Sequence, residues 1–450
     1  MRFASVTWDH IEGTHFLPKR YIDLVQVKDA IPLSDICDIA SGIYADEYVS
    51  KYSRISVPYL RVNNVREFVP NVTPGDVEYV VPRKDWGERV CVAAGDVIIA
   101  RTGTLGRAFV VPRSLAGSVM SQHVTRLRLR EPSSGHAQLL AAYLNSPPGK
   151  AQVMAVASGS TRLELTHEDI NRLRIPQQTL ARAELVEAGD GVEEDFEEAV
   201  RGAVAAFAAC DRLLPLADAQ EPFFSVACDQ AAFTRSLAPR FHRPSLARME
   251  AALTEGYECV PLGQLAQIKR GAGSLAAEYQ PDGIPYIRTS SIVNYGIELF
   301  PEHYGTIETY RAHRQNVGPG DILLTIEGKI GSIALIGNHE RCLIKNHVEF
   351  IRLNAASPVP AEFVYAMLSS HIGQTQIERR TVVQATIPGL GSESRSIMIP
   401  VAGRTARTAA LYRKTLAEVT GQIRRAQAAR ARLRKRLQVL INAVGGSKEL

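Results

Sequence analysis

The chain has 450 residues, of which 45% are hydrophobic and 22% charged, and its formal net charge is +5. This length suffices for two or three domains, and the balanced composition excludes a disordered chain. No apolar run approaches the roughly 20 residues of a membrane span, and the N-terminus lacks the hydrophobic core of a signal peptide. The six cysteines are widely spaced, as is typical of free thiols rather than of a zinc site or a disulfide framework. We therefore expect a soluble, cytoplasmic, multidomain protein without membrane partners.

Residues 1–179 have the pattern of a domain with both helices and strands. Short β-branched runs at 96–100 and 123–129 are bounded by Gly and Pro and predict strands, whereas 139–145 predicts a helix. The recognisable part opens on Ile31-Pro32-Leu33-Ser34-Asp35-Ile36 and closes on Ile175-Pro176.

An acidic segment follows at residues 180–216, with 3 Lys/Arg against 9 Asp/Glu. Its apolar residues recur at the 4-3-4-3 spacing of a coiled-coil helix. They are Val192, Phe196, Ala199, Ala203, Ala206, Cys210 and Leu213. Gly189 and Gly191 disfavour a helix interior, so we expect the stable helix to begin near Val192.

Residues 217–236 are predicted to be a linker, and residues 237–402 repeat the first domain. Pro244 is expected to open a helix that runs to about Leu253. The matched motifs keep their order, and their offset drifts only from 229 residues (Ile31 and Val260) to 224 (Ile175 and Ile399). The other matches are Val57–Arg61 with Ile284–Arg288, Gly95–Ile99 with Gly320–Leu324, Gly103 and Gly106 with Gly328 and Gly331, and His123–Leu129 with His347–Leu353. A duplication explains this agreement.

Residues 403–450 form a basic segment with 12 Lys/Arg against 2 Asp/Glu. Its seam has the same 4-3-4-3 spacing and is interrupted only by Arg430. The seam comprises Tyr412, Leu416, Val419, Ile423, Ala426, Arg430, Leu433, Leu437, Leu440 and Val444. Matched seams and opposite charges predict that the two long helices pack together as a coiled coil. Two separate surface helices, or direct binding of nucleic acid by the basic segment, remain open.

The order of these motifs resembles the specificity (S) subunit of type I restriction–modification enzymes. The resemblance rests on the x-Pro-Leu-x-x-Ile/Leu opening, the Pro-Tyr-x-Arg strand, the Gly-Asp motif with its glycine pair, and Gln122–Leu127, and it extends from about Phe16 to Val444. It implies an α+β fold with two target-recognition domains separated by two long helices in an antiparallel coiled coil. Each domain would read half of a bipartite, asymmetric sequence in double-stranded DNA.

The same resemblance implies that the chain is not an enzyme and carries no cofactor. It would dock DNA methyltransferase subunits, which use S-adenosylmethionine, and through them restriction or translocase subunits. The chain departs from the family where each long helix starts, at Ile175-Pro176-Gln177-Gln178 and Ile399-Pro400-Val401-Ala402. A specificity subunit of a related phage-defence methylation system that is not type I is therefore an alternative.

Three pairs of polar segments are candidate readers of DNA, because Arg, Lys, Asn, Gln, Ser and Thr read base edges and phosphates. They are 61–66 with 288–294, 101–107 with 326–331, and 158–162, which we match to 379–384. The candidate DNA-binding residues are Arg61, Asn63, Asn64, Arg66, Arg101, Thr104, Arg107, Ser160, Thr161, Arg162, Arg288, Thr289, Ser290, Ser291, Asn294, Lys329, Arg379, Arg380 and Gln384. A solvated polar loop or a plain hairpin is the alternative for each segment.

Catalytic interpretations of the sequence are weak. His123 and His347 occupy the same repeat position and are interpreted as hydrogen-bonded structural residues rather than metal ligands. Asn145–Gly149 imitates an amino-methyltransferase motif but has Gly where an aromatic ring should stand, so we predict a helix stop. Pro281-Asp282 with Glu327-Gly328-Lys329 imitates a nuclease motif, which leaves an enzyme acting alone on DNA as a minor hypothesis. A scaffold that binds proteins instead of DNA is the main alternative, since 237–402 has no net charge.

Overall fold

The computed structural model describes residues 29–45, 55–131, 134–159, 163–180, 183–214, 225, 239–273, 280, 283–313, 315, 317–338, 340–383 and 388–444. The chain divides into two compact units, Met1–Glu197 with Arg432–Leu450, and Glu198–Ala431. Each unit therefore contains one copy of the repeat and part of each long segment. The predicted linker 217–236 lies outside the described residues, apart from Ser225.

The strands of the first unit form three sheets. They are β1 (Ala30–Pro32), β2 (Cys37–Ser41), β3 (Val57–Leu60), β4 (Glu78–Val80), β5 (Val97–Ala100), β6 (Ala108–Val110), β7 (Val119–Met120), β8 (Val124–Leu129) and β9 (Arg174–Pro176). A four-stranded antiparallel sheet has the order β2-β8-β5-β6, a three-stranded sheet has the order β4-β3-β7, and β1 pairs with β9.

Apart from the first, the helices of the first unit lie in its last third. They are α1 (Leu33–Ile36), α2 (Ser134–Asn145), α3 (Pro147–Val156), α4 (His167–Arg172), α5 (Gln177–Leu180), α6 (Ala183–Asp190) and α7 (Val192–Asp211), which continues into the second unit. Strand β9 separates α4 from α5. As predicted, the stable acidic helix begins at Val192.

The second unit repeats these three sheets and adds two short pairs of strands. Its strands are β10 (Tyr257–Pro261), β11 (Ala266–Arg270), β12 (Ile284–Ile287), β13 (Ile292–Val293), β14 (Gly296–Ile297), β15 (Tyr304–Gly305), β16 (Ile322–Thr325), β17 (Ile333–Leu335), β18 (Leu343–Ile344), β19 (Val348–Leu353), β20 (Val382–Val383), β21 (Pro388–Gly389) and β22 (Met398–Gly403). The order β11-β19-β16-β17 repeats β2-β8-β5-β6, and β15-β12-β18 repeats β4-β3-β7. The added pairs are β13 with β14 and β20 with β21. Both three-stranded sheets contain one antiparallel and one parallel pair. The α+β class and the duplication are therefore confirmed.

The helices of the second unit are α8 (Pro244–Gly256), α9 (Leu262–Leu265), α10 (Ile307–His313), α11 (Ala361–Ser369), α12 (His371–Arg380) and α13 (Ala406–Ala443), which ends in the first unit. Three of them, α9, α11 and α12, match α1, α2 and α3 of the first copy. Helix α8 begins at Pro244 as predicted and ends three residues later than the predicted Leu253.

The opening and closing motifs of each copy pair with each other as an antiparallel ladder. Ile31 lies opposite Ile175 in the first unit, and Val260 lies opposite Ile399 in the second. Residues more than 130 positions apart are thereby joined, which closes each copy into one compact domain.

The Gly-Asp and Arg-Leu motifs meet as a bidentate ion pair in each unit. Arg128 donates to the buried Asp96 through Nε (2.7 Å) and Nη2 (2.8 Å). Arg352 donates to the buried Asp321 in the same way, at 2.8 Å and 2.6 Å. Hydrogen bonding to the aspartate raises the pKa of each arginine above its ordinary value. These motifs are a structural element of the repeated fold.

Apolar residues between the sheets form the core of each domain. In the first unit, Ile98, Phe109 and Met120 share one buried cluster. In the second unit, the largest cluster joins the sheet and α11 to the seam of α13, including Val419 and Ile423.

The two long helices contact each other within each unit. In the first unit Asp195 of α7 accepts hydrogen bonds from Arg432 (2.7 Å) and Arg436 (2.8 Å) of α13. In the second unit a Cβ atom at Gly202 would lie 3.1 Å from Ala426, and Arg212 pairs with Glu418 at 2.7 Å.

These contacts give the direction of the pairing within the second unit. From Gly202 in α7 to Arg212, the residue directly after α7, the residue number rises, while the partner's number falls from Ala426 to Glu418 along α13. The helices are therefore antiparallel there. The predicted seam of α13 is buried, except that Leu416 and Arg430 are half-buried. A charged residue is tolerated at this position of the apolar seam because Nε of Arg430 donates to Glu340 at 3.1 Å.

The five cysteines within the described residues are free thiols, in agreement with the sequence: Cys37, Cys91, Cys210, Cys259 and Cys342. In the part of the chain that the structure describes, no helix combines the length and apolar character that a bilayer crossing requires.

Candidate nucleic-acid interface

The turn between β5 and β6 in the first unit is the centre of the candidate interface. Arg107 O accepts from the backbone of Ala100 (3.0 Å), and Ala100 O accepts from Gly106 (3.1 Å), which closes the turn tightly. Gly103 and Gly106 have φ of 71° and 76°, a region that side chains other than Gly rarely adopt. A Cβ atom at Gly106 would also come within 2.8 Å of Val153. The glycine pair is therefore required by backbone geometry and close packing.

Glu164 and Leu165, which closely follow the third predicted segment, lie directly against this turn. Leu165 N donates to Arg101 O at 3.0 Å. Glu164 forms an isolated antiparallel β-bridge with Thr102 and another with Ser158. The structure thus places the second candidate segment of the first copy beside Glu164 and Leu165, which closely follow the third, at one end of the sheet. Ser160, Thr161 and Arg162 lie outside the described residues.

Arg101 fastens the turn to Glu164 and Leu165. Its Nε donates to Leu165 O at 2.8 Å, its Nη1 to Gln122 O at 3.3 Å, and its Nη2 lies 3.6 Å from Glu164. The side chain is 17% exposed. These groups occupy most of the donors of Arg101. The side chain therefore links the turn to Glu164 and Leu165.

Arg107 also faces into the protein. Its side chain is only 8% exposed, and its Nε lies 3.9 Å from Glu67, which Lys150 contacts at 2.5 Å. Thr104, between the two glycines, is half-buried. The buried carboxylate of Glu67 therefore holds the end of the turn at Arg107 by charge attraction.

The 61–66 segment has one exposed candidate residue and one structural asparagine. Asn64 is fully buried, accepts from the backbone of Arg61 at 2.9 Å and donates to Asn71 O at 3.1 Å. Asn63 beside it is exposed. Arg61 pairs with Glu78 and remains partly exposed, and Arg66 is half-buried.

The second unit repeats this architecture with different side chains. Leu390 N donates to Ile326 O at 2.8 Å, as Leu165 N donates to Arg101 O in the first unit. Glu327 forms a β-bridge with Gly389, as Thr102 does with Glu164. Lys329 lies in the turn and is half-buried, whereas Gln384 lies outside the described residues. The loop between β20 and β21 is therefore the counterpart of residues 158–164.

The predicted match of 158–162 with Arg379 and Arg380 is wrong. Both arginines lie in the last turn of α12 and point towards α8, where Glu250 accepts from Arg379 Nη1 (2.7 Å) and Arg380 Nη2 (2.7 Å). Arg379 also stacks over Phe241 at 4.5 Å. Burial opposes the ionisation of Glu250, but the arginines outweigh it and lower its pKa. Charge pairing therefore makes these residues part of the domain's internal packing.

The 288–294 segment mirrors 61–66. Arg288 pairs with Glu302 at 2.5 Å, and the buried Ser291 accepts from the backbone of Arg288 at 3.4 Å, where Asn64 stands in the first copy. Ser290 is exposed, and Thr289 is half-buried. Asn294 is also half-buried and has a φ of 51°.

The two equivalent histidines have different surroundings. His123 is exposed, and its backbone oxygen accepts from Arg101. His347 Nδ1 lies 2.5 Å from Glu327, as expected of a hydrogen-bonded residue. No cluster of three or more potential metal ligands occurs among the described residues.

The segment that imitates a methyltransferase motif forms a helix junction, as predicted. Asn145 ends α2, and its amide is bonded to both backbone groups of Ala108. Ser146 caps α3, and a Cβ atom at Gly149 would lie 2.0 Å from Tyr143 O. These bonds engage both the oxygen and the nitrogen of the Asn145 side chain in the packing of α2. The nuclease-like Pro281-Asp282 lies outside the described residues.

Arg270 is a polar residue at this end of the sheet that the sequence analysis missed. It ends β11, directly before Gly271, and its Nη1 donates to Glu327 at 3.2 Å. The matched residue before Gly42 in the first copy is Ser41. Comparison of the two residues that precede these glycines would have revealed the difference in charge.

Two of the comparisons with known proteins found nothing: no family model and no curated protein sequence matches this chain. Among solved structures, the type I restriction–modification S subunit from M. genitalium has 15% identity and a TM-score of 0.35, covering 92% of this chain and 95% of that one. A chain from a study of complex assembly and conformational transition of the type I R-M system has 16% identity and a TM-score of 0.29, with coverages of 93% and 98%. The HsdS subunit from Thermoanaerobacter tengcongensis has 13% identity and a TM-score of 0.29, with coverages of 93% and 97%. Each of these three similarities extends over more than 90% of both chains.

Proposed function

We propose that this chain is a DNA sequence-specificity subunit whose two domains each read one half of a bipartite, asymmetric target. One observation carries the proposal: equivalent positions on the same scaffold hold different chemistry. The exposed Asn63 corresponds to the exposed Ser290, and the half-buried Thr104 corresponds to the half-buried Lys329, while the backbone bonds around the two turns are the same. Base edges are distinguished by the donors and acceptors that face them, so this variation on a constant scaffold suits two readers of different sequences.

Under this proposal the exposed or partly exposed candidates contact DNA, and the buried ones position them. The contacting set includes Arg61, Asn63, Ser290 and Lys329, together with the predicted loop residues Ser160, Thr161, Arg162 and Gln384. Asn64, Ser291, Arg101 and Arg107 hold the loops in place through the bonds described above.

The proposal also assigns the chain no catalytic role. DNA methyltransferase subunits, which would bring S-adenosylmethionine, dock on it, and restriction or translocase subunits join through them. The seams of α7 and α13 would pack as an antiparallel coiled coil between the recognition elements. Phage defence in the cytoplasm is the corresponding biological setting.

A protein-binding scaffold is the second candidate, favoured by one observation. Carboxylates already neutralise several arginines of the candidate interface, including Arg61 through Glu78 and Arg288 through Glu302. A DNA-binding face usually keeps an excess of free positive charge.

Selection from a randomised duplex pool, with the chain co-purified with its methyltransferase, distinguishes the two candidates. A two-part motif with an unread spacer supports DNA reading, and affinity should then fall steeply with salt because phosphate contacts release counterions. Recovery of DNA without any preferred sequence supports the scaffold.

A matched pair of variants tests the assignment to the first domain. Asn63→Ala removes an exposed side chain in the candidate interface, so the preference should relax in only one half of the motif. Arg83→Ala removes a surface arginine that pairs with Asp85 at 3.3 Å and lies outside all candidate segments, so the motif should not change. Equal effects of the two changes would refute the assignment.

A further inference from the structure

Arg270 stands at the end of the second unit's sheet where the candidate segments meet. Its side chain is 45% exposed, while Nη1 donates to Glu327 Oε1 at 3.2 Å and Nε lies 3.8 Å from Glu349 Oε1. We propose that Arg270 reads a guanine in the half-site of the second domain. This inference rests on the proposed DNA-reading function and names one specificity-determining residue within it.

The carboxylates that face Arg270 are themselves held in place. Glu349 is only 1% exposed, accepts from the Ser394 hydroxyl at 2.7 Å and lies 3.8 Å from Arg395. Glu327 is bonded on its other oxygen to His347. A guanidinium fixed by two anchored carboxylates loses little side-chain entropy when it binds a ligand.

The chemistry left exposed by this arrangement matches guanine. With Nε facing Glu349 and Nη1 bonded to Glu327, the outer edge formed by Nη1 and Nη2 still carries donors. Nη2 of Arg270 makes no hydrogen bond with any of the residues that the structure describes. Guanine presents the N7 and O6 acceptors side by side in the major groove, and an arginine fork donates to both. A lone phosphate contact would not require the side chain to be oriented in this way.

The fold itself does not require an arginine at this position. Gly42 and Gly271 are equivalent, since a Cβ atom at either would come within 2.3 Å of a backbone oxygen of the neighbouring strand, at Met120 or Ile344. The residue before Gly42 is Ser41, and the first domain forms the same sheet with it. The arginine is therefore a feature of the second domain alone, as expected for a residue that reads one half-site.

The test compares three variants of the full chain, co-purified with the methyltransferase, in the same randomised-duplex selection. Arg270→Ala should relax one guanine position of one half-site, with a loss of discrimination of about ten- to a hundredfold, and leave the other half unchanged. Arg270→Lys should relax the same position while retaining the salt dependence, because it keeps the charge but loses the fork. Lys269→Ala is the control, since Lys269 is the exposed neighbour on the opposite face of the strand.

The possible outcomes separate this inference from the function on which it rests. If the unchanged chain selects a motif and Arg270→Ala selects the same motif, or binds all sequences more weakly by one common factor, Arg270 reads no base. If the unchanged chain selects no motif, the proposed function itself fails. Because the changed side chains are exposed, we expect every variant to fold. Thermal unfolding of each variant checks that a loss of folding is not the cause of a changed motif.

Discussion

The duplicated ion pair offers a sharp test of how each domain is held together. Arg128→Met removes the guanidinium but keeps most of the apolar stem. The carboxylate of Asp96, 3% exposed, would then keep only the backbone N–H of Ala93, at 2.7 Å, among its bonds described here. Breaking a fully buried ion pair costs about 3–5 kcal/mol. Because Arg128 is 42% exposed and water can replace part of its contact, we expect a loss of about 2–3 kcal/mol in the unfolding free energy of the first domain.

Hydrogen exchange measured by mass spectrometry reports this loss in the region that carries the pair. Peptides covering β5 and β8 should exchange about 30- to 150-fold faster in Arg128→Met, while peptides covering β16 and β19 should not change. Arg352→Met should produce the reverse pattern. Arg130→Met is the control, since Arg130 is exposed and makes one bond, to Ser34 O at 3.0 Å. If Arg128→Met accelerated exchange no more than this control, or equally in both sets of peptides, the reasoning would be refuted.

Three further predictions follow from buried groups. Glu250→Gln should destabilise the second domain by about 2–4 kcal/mol, because it leaves the buried Arg380 without its counter-charge. The pKa of Glu250 is lowered in the folded chain, so its stabilising contribution is present above pH 4.5 and is lost as the pH falls through the lowered pKa. Urea unfolding should therefore show a difference between the variant and the unchanged chain that shrinks at acid pH, and a constant difference would contradict this. Gly373→Ala should cost about 2–3 kcal/mol, since its Cβ would lie 2.0 Å from a backbone oxygen, whereas Gly256→Ala, with nothing within 4 Å, should cost none; equal melting temperatures would contradict this. Burial raises the pKa of Cys37 to about 12 and of Cys259 to about 11, so at pH 8 both should react with a thiol reagent at least about tenfold more slowly in the native chain than in urea, as followed by peptide mass spectrometry.

The sequence predicted the organisation of the fold well because that organisation depends on local patterns and on repetition. The Gly-Asp motif, the strand at 123–129, the start of α7 at Val192 and the start of α8 at Pro244 are all found where they were expected. Strand propensity, glycine turns and proline at a helix start act over a few residues, so a linear pattern contains them. Because each motif occurs twice and in the same order, the two copies support the same assignment of each element.

The candidate interface was predicted only in part. The turns that follow Ala100 and Thr325 lie beside Leu165 and Leu390, a proximity that the sequence did not predict. Their individual arginines could not be ranked, because an exposed arginine and a buried one have the same sequence signature.

What the sequence by itself determined is therefore the α+β class and the two copies of the domain. Only the tertiary structure decided which loops meet at one end of each sheet and which side chains those loops expose. Arg101 is occupied by backbone oxygens, Arg380 is buried against Glu250, and Arg270 is held at the surface by Glu327. The physical reason is that charges find their partners through space, here between residues 57 to 130 positions apart. Such distances are set only when the chain has folded.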